Sequence, residues 1–252
     1  MTPKRSATMP YEAPPVGEDD ADRMRELARI RDAYARRRVS VPPGRYSSND
    51  ASSVLAGKEL ERRILRMLAV KSSAPLSSRR ILDVGCGEGH WLRRFEQWGA
   101  APENLAGIDL LPERIAAARE RSAPRVHLQC GDASRMAFAH GTFDTLLTFV
   151  VFSSILDRTF RQTLANEMLR VLCPGGFILW YDFHVNNPWN PDVSGVSKKE
   201  IREYFSGCRV RFERITLAPP LGRMVARSPR LYALLSATKF LCTHYLGWIQ
   251  KP

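Results

Sequence analysis

The chain has 252 residues, 44% of them hydrophobic, which suits one α/β core with appendages and is ordinary for a soluble globular protein. No apolar run reaches membrane-spanning length, and residues 1–20, rich in Pro, Ser, Thr and acids, read as a disordered lead-in without the apolar stretch of a signal peptide. The net charge of +12 is spread over Arg36-Arg37-Arg38, Arg62-Arg63, Arg79-Arg80 and Lys198-Lys199, which points to solvated faces rather than a phosphate-binding stripe. Five scattered cysteines without a C-x-x-C pair suit reduced thiols and offer no metal site, so the expected location is the cytoplasm.

After the lead-in, residues 21–78 form an N-terminal helical segment. An arginine-rich helical pattern runs from Ala21 to about Arg38, Pro42-Pro43-Gly44-Arg45-Tyr46 follows, and a second helix spans about Ala51 to Val70 before the linker Lys71 to Ser78. Residues 79–252 form the core. Ile81-Leu82-Asp83-Val84 is apolar enough for a buried strand, and it delivers Gly85, Gly87 and Gly89 into a turn that opens a helix from His90. Glycines there let a ligand approach the backbone, and the helix start presents free N–H groups. A dinucleotide fingerprint would need its third glycine at His90, which counts against NAD.

Leu105 to Asp109 reads as a second strand ending in an acid placed for a ribose. A helix runs from Pro112 to about Arg121, a third strand from Val126 to Ala133, and a fourth from Phe143 to Val151. Glu167 to Trp180 reads as helix, Pro174-Gly175-Gly176 turn and fifth strand, and Trp180 to Pro191 adds many polar and aromatic groups, as a small-molecule pocket needs, with Trp189 either in that pocket or a core plug. A sixth strand covers Arg209 to Leu217. A helical insert follows at about 218–241, and a last strand covers Thr243 to Gln250.

Taken in order, the three glycines after Asp83-Val84, the acid Asp109, the Gly131-Asp132-Ala133 step and the Pro174-Gly175-Gly176 step resemble the motifs of the class I S-adenosylmethionine-dependent methyltransferases. The resemblance covers roughly Leu60 to the C-terminus. It implies a Rossmann-like α/β fold with a seven-stranded, mostly parallel sheet, an antiparallel last strand and helical lid elements at both ends. It implies S-adenosylmethionine as cofactor, with contacts at Tyr46, Asp83, Gly85, Cys86, Gly87, Asp109, Leu110, Asp132, Ala133, Thr148 and Phe149. Each aspartate also has an ordinary use as a helix cap or turn residue. Tyr46 could equally pack beneath the second helix.

The reaction implied is methyl transfer to a small-molecule nucleophile, with a hydroxyl of a sugar, a lipid-linked intermediate or another secondary metabolite as the expected acceptor. Many relatives carry a histidine just past the fourth strand, where this chain has Ser153-Ser154. Asp182 and His184 beyond the fifth strand are the alternative acid–base pair, since an extended segment would put both on one face, and His244 is the reserve. Neither an Asn/Asp-Pro-Pro-aromatic step nor a Pro-Cys step follows the fourth strand, which argues against a nucleic-acid substrate. An RNA or other macromolecular acceptor, and a binding module without turnover, are the rival functions. The insert at 218–241, with Arg223, Arg227, Arg230 and Lys239 around its apolar residues, reads either as a buried lid or as a helix touching a membrane surface. The sequence leaves the oligomeric state open.

Overall fold

A computed structural model describes residues 18–40, 50–71, 74–187 and 190–252. Expectations at Tyr46 and Trp189 lie outside the described residues. Two helices lead in, α1 (Glu18–Ser40) and α2 (Ala51–Lys71). The core alternates β1 (Ile81–Val84), α3 (His90–Gln97), β2 (Leu105–Asp109), α4 (Pro112–Arg121), β3 (His127–Cys130), β4 (Phe143–Phe149), α5 (Arg158–Val171) and β5 (Leu172–Phe183). It then adds α6 (Lys198–Tyr204), β6 (Arg209–Leu217), α7 (Pro219–Val225), α8 (Pro229–Ala237) and β7 (Cys242–Gln250).

The strands make one sheet in the order β3-β2-β1-β4-β5-β7-β6, with β7 antiparallel to both its neighbours, as expected. β1 is buried along its whole length, because alternate residues feed opposite cores. Leu82 and Val84 join Leu27 and Ile30 of α1 and Phe160, Leu164 and Met168 of α5, whereas Ile81 packs with Leu60 and Ile64 of α2 and with Leu92 and Phe95 of α3. Both faces of a parallel sheet are thus covered by helices. The strand order reverses between β2-β1 and β4-β5, so a crevice opens at the carboxyl ends of β1 and β4.

Some boundaries differ from those the sequence suggested. α1 begins at Glu18, inside the stretch assigned to the lead-in, where Asp20 is held by Arg23 and by Arg135 at 2.9 Å. β3 stops at Cys130, because the Asp132 carboxylate draws the following chain into a turn by accepting from Ser134 N and Oγ, both at 2.8 Å. Pro174-Gly175-Gly176 is not a turn ahead of β5 but a bulge within it. Phe143 faces Leu172 while Thr145 faces Phe177, and Gly175 supplies the left-handed residue at φ 73°. The insert is a pair of short helices, α7 and α8, with Ser228 Oγ capping the second by accepting from Leu231 N.

Candidate functional site

The glycine turn closes tightly against β2. Gly85 N and Cys86 N both donate to Ile108 O, at 2.8 and 3.0 Å. Gly85 stands at φ 73°, and a Cβ there would come within 2.6 Å of Val151 Cγ2, so both backbone and space demand glycine. Cys86 is buried, and burial together with the nearby carboxylates Asp83 and Asp109 pushes its thiol up, which makes it a small filler rather than a nucleophile.

Asp109 ties this turn to the one after β2. Its Oδ2 accepts from Gly87 N at 2.8 Å and its Oδ1 from Leu111 N at 3.0 Å, leaving each oxygen a further lone pair for a ligand hydroxyl. Asp83 lies behind it, 1% exposed, with Oδ2 unpartnered. Burial first, and the charge of Asp109 second, raise its carboxyl well above the usual range.

A cavity of about 360 Å³ occupies the crevice. Of the residues expected at the cofactor, Gly85, Asp109, Leu110, Asp132, Ala133 and Phe149 line it. Asp83, Cys86, Gly87 and Thr148 are not on its wall, and Thr148 Oγ1 is buried without a partner. The sequence reading did not single out the opposite wall, formed by Leu27, Ile30 and Tyr34 of α1. Their helical spacing is the signal that could have found them. Val150 and Val151, just past β4, also line it, as do Arg37 and Arg114. Val150 is β-branched yet stands at φ 60°, held there by donating to Tyr181 O at 2.7 Å, a strained backbone beside the cavity.

Helix α1 is fastened over this cavity by polar contacts. Glu26 Oε1 accepts from Leu156 N at 2.6 Å, Arg29 donates to Ser154 O at 2.6 Å, and the Tyr34 and Ser154 hydroxyls are 3.2 Å apart. Arg23 pairs with Asp132. Burial would raise the Glu26 carboxyl, but bonds from Arg29 and from the Leu156 N–H outweigh it and hold the group below its usual range. Beneath the loop, buried Arg161 of α5 donates to Ile155 O at 2.7 Å and to Ser194 O at 3.2 Å, joining the segments that follow β4 and β5.

The structure does not bring Asp182 and His184 together as a hydrogen-bonded pair. Asp182 Oδ2 accepts from Ser153 N at 3.0 Å and Oδ1 from Phe183 N at 2.9 Å, while His184 Nε2 faces Cys242 O at 3.0 Å and its ring stacks on Tyr245. Neither residue is on the wall of the 360 Å³ cavity. The strand does stay extended as far as Phe183, but backbone donors that the sequence pattern does not reveal have claimed the carboxylate. On the other sheet face, Trp91, Phe149, Tyr181 and His244 form a row, with successive ring centroids 4.8, 6.1 and 4.8 Å apart. Phe149 belongs both to this row and to the cavity wall. Burial lowers His244 to about 3.

These features suit an adenosyl ligand carrying an amino acid: a turn without Cβ groups at Gly85, carboxylates of Asp109 and Asp132 on the wall, and the unpartnered oxygen of buried Asp83 behind it. Residues 81–176 match a family model described as a methyltransferase domain. Phthiotriol/phenolphthiotriol dimycocerosates methyltransferase 1 of Mycobacterium ulcerans is 31% identical over 135 residues, covering 51% of this chain and 47% of that one. The chain thus spans about half the length of the curated relatives it matches. An S-adenosylmethionine-dependent methyltransferase from Mesorhizobium loti aligns with a TM-score of 0.56 at 16% identity, over 76% of this chain and 97% of that one. The cyclase SpnF aligns at 0.59 and 18% identity over 92% and 95%, so the fold by itself does not dictate the reaction. Over its central part the chain is thus similar to methyltransferase domains, and its fold is that of the S-adenosylmethionine-dependent methyltransferases.

Proposed function

We propose that this protein transfers the sulfonium methyl of S-adenosylmethionine to a hydroxyl of a small molecule. The observation that carries the reading is the cavity at the β1/β4 reversal, with Asp109 and Asp132 on one wall and α1 across the other. In this account Asp109 accepts from the ribose hydroxyls, Asp132 from the adenine amino group, and Asp83 lies toward the amino-acid end. Leu110, Ala133 and Phe149 supply apolar area, and Tyr46 keeps its proposed contact with the methionine carboxylate. When bound, the cofactor supplies an electrophilic methyl group whose charge is lost as an attacking oxygen takes it up.

The chain's own contribution is then to hold the acceptor in line and keep water out, which Leu27, Ile30 and Tyr34 of α1 are placed to do. The acceptor is assigned to the polar and aromatic segment that follows β5, on the His184 side of the sheet rather than on the face of the Phe149, Tyr181 and His244 row. A hydroxyl must also give up a proton. His184 is the proposed receiver: burial keeps its imidazole neutral, and if Nε2 donates to Cys242 O, Nδ1 carries the free lone pair. His244, at about 3 and on the opposite sheet face, is too weak a base for that task near pH 7.

The surface charge supports a small acceptor over a nucleic acid. In the run Arg36-Arg37-Arg38, Arg36 pairs with Asp192 and Arg38 with Glu113, so carboxylates of this chain already meet those cations. The relative from Mycobacterium ulcerans is named for dimycocerosates of phthiotriol and phenolphthiotriol, which also favours a non-nucleotide acceptor. The test is release of S-adenosylhomocysteine from purified protein given S-adenosylmethionine with sugars, phenols, quinol precursors, lipid alcohols or short RNAs. Turnover on a hydroxyl compound is expected. Turnover confined to RNA, or cofactor binding without turnover on any of these, contradicts the proposal.

A further inference from the structure

From Arg214 to Pro252 the chain contains no Asp or Glu, while Arg214, Arg223, Arg227, Arg230, Lys239 and Lys251 all fall within it. The middle of this stretch is the α7–α8 pair. Leu217 at the end of β6 pairs with Cys242 at the start of β7, which sets the two helices at the carboxyl end of β6. Since β6 runs parallel to β1, β4 and β5, this is the sheet edge that also carries the cavity.

The insert is anchored by one side only. On α8, Tyr232 and Ser236 are buried, 4% and 6% exposed, and on α7 Gly222 lies so close to Ser52 of α2 that a Cβ would meet its Oγ at 2.6 Å. The other side is apolar and open. Met224 is 80% exposed, Leu234 66%, Phe240 72% and Leu231 41%. Leu231 and Leu234 are three apart on one flank of α8, turned away from Tyr232 and Ser236. Exposed arginines 223, 227 and 230 stand among these side chains, and Asp50, just ahead of α2, is a carboxylate close enough to feel the charge of Arg223.

An apolar set ringed by cations, without acids in its own segment, matches the chemistry of an anionic bilayer surface, where acyl chains take the apolar groups and lipid phosphates take the arginines. No helix among the described residues is long and apolar enough to cross a membrane, so any such contact is interfacial. We infer that α7–α8 docks the protein on anionic membrane, with Met224, Leu231, Leu234 and Phe240 entering the headgroup boundary and Arg223, Arg227 and Arg230 pairing with lipid phosphates. The inference stands apart from the identity of the acceptor. It also gives the exposed face a use that a buried lid would not.

Co-sedimentation of the full chain with phosphatidylcholine vesicles, with and without about one-third phosphatidylglycerol, tests it. Binding to the anionic vesicles only is expected, weakening with salt. The double variant Leu234→Glu with Phe240→Glu should lose binding by at least roughly tenfold, and each of Arg223→Glu and Arg227→Glu by about fivefold or more, with S-adenosylmethionine affinity unchanged as the check on folding. Met224→Glu on α7 repeats the apolar test should the α8 variant fail to fold. Absence of vesicle binding, equal binding to neutral vesicles, or unchanged binding by folded variants overturns the inference. So does a solution dimer that these variants dissolve while wild-type protein ignores vesicles, or an RNA affinity that needs the arginines but not Leu234 and Phe240.

Discussion

Arg23 of α1 donates to the carboxylate of Asp132, the acid just beyond β3 that is proposed above to meet the adenine amino group. The same guanidinium also holds Asp20, and Asp20 takes Arg135 at 2.9 Å, so a four-residue charge network fastens the lid helix to the wall it covers. Its side chains are largely withdrawn from solvent, 14% exposed for Arg23 and 15% for Asp132. It is therefore expected to contribute more than an open surface pair.

Removing Arg23 should loosen α1 without unfolding the core. An exchange of charge-assisted bonds in a partly wet site is worth about 1 kcal/mol, or roughly a fivefold rise in local opening. Hydrogen exchange of the α1 amides in Arg23→Ala should quicken by that order while β1 and β4 keep their protection. Equal exchange in both proteins would show that the network does not hold the lid.

Asp182 gives the fold a pH signature. Burial raises its carboxyl to about 6 against an unfolded value near 3.8, with the Ser153 and Phe183 N–H groups pulling the other way. Because the folded state binds the proton more tightly, the stabilising contribution is full below about pH 4 and is lost as pH rises through about 6, a change of roughly 3 kcal/mol. Urea unfolding between those limits should show this slope in the wild type and a flatter one in Asp182→Asn. Parallel slopes would mean that Asp182 does not titrate in this range.

His184→Ala should lower methyl transfer to a hydroxyl acceptor by about 10² to 10⁴ if His184 receives the proton. Cofactor affinity should be unchanged, since the ring contacts Cys242 and Tyr245 rather than the cavity wall. The wild-type pH profile should rise across a pKa below the ordinary histidine value, because burial lowers the group. A variant turning over at near the wild-type rate would leave an enzyme that works by positioning alone.

How much of this was legible in the sequence depended on whether a feature is local. Gly85, Asp109 and the β2 and α4 boundaries could be read, because a strand end, a turn and a proline-initiated helix each leave a short-range pattern. The α1 wall was not read, because Leu27, Ile30 and Tyr34 are spaced like any amphipathic helix and only the tertiary fold sets them across from Asp132. Asp182 misled for a related reason. Alternation placed it on one face with His184, but whether a carboxylate meets an imidazole or a backbone N–H depends on Ser153, twenty-nine positions earlier in the chain. The insert's helical pattern was visible, yet only the exposures of Met224, Leu234 and Phe240 show which side of it is uncovered.

The central claim, that S-adenosylmethionine lies against Asp109 in the β1/β4 crevice, is tested most directly by calorimetric titration of wild type and Asp109→Ala with S-adenosylmethionine and with NAD. Two hydrogen bonds to a charged acceptor predict tight S-adenosylmethionine binding by the wild type and an affinity roughly ten- to a hundredfold weaker in the variant, with NAD bound by neither. Because Asp109 also accepts from Gly87 and Leu111, circular dichroism must show that the variant is folded. Equal S-adenosylmethionine affinity in the folded variant, or tight NAD binding by the wild type, would contradict the account.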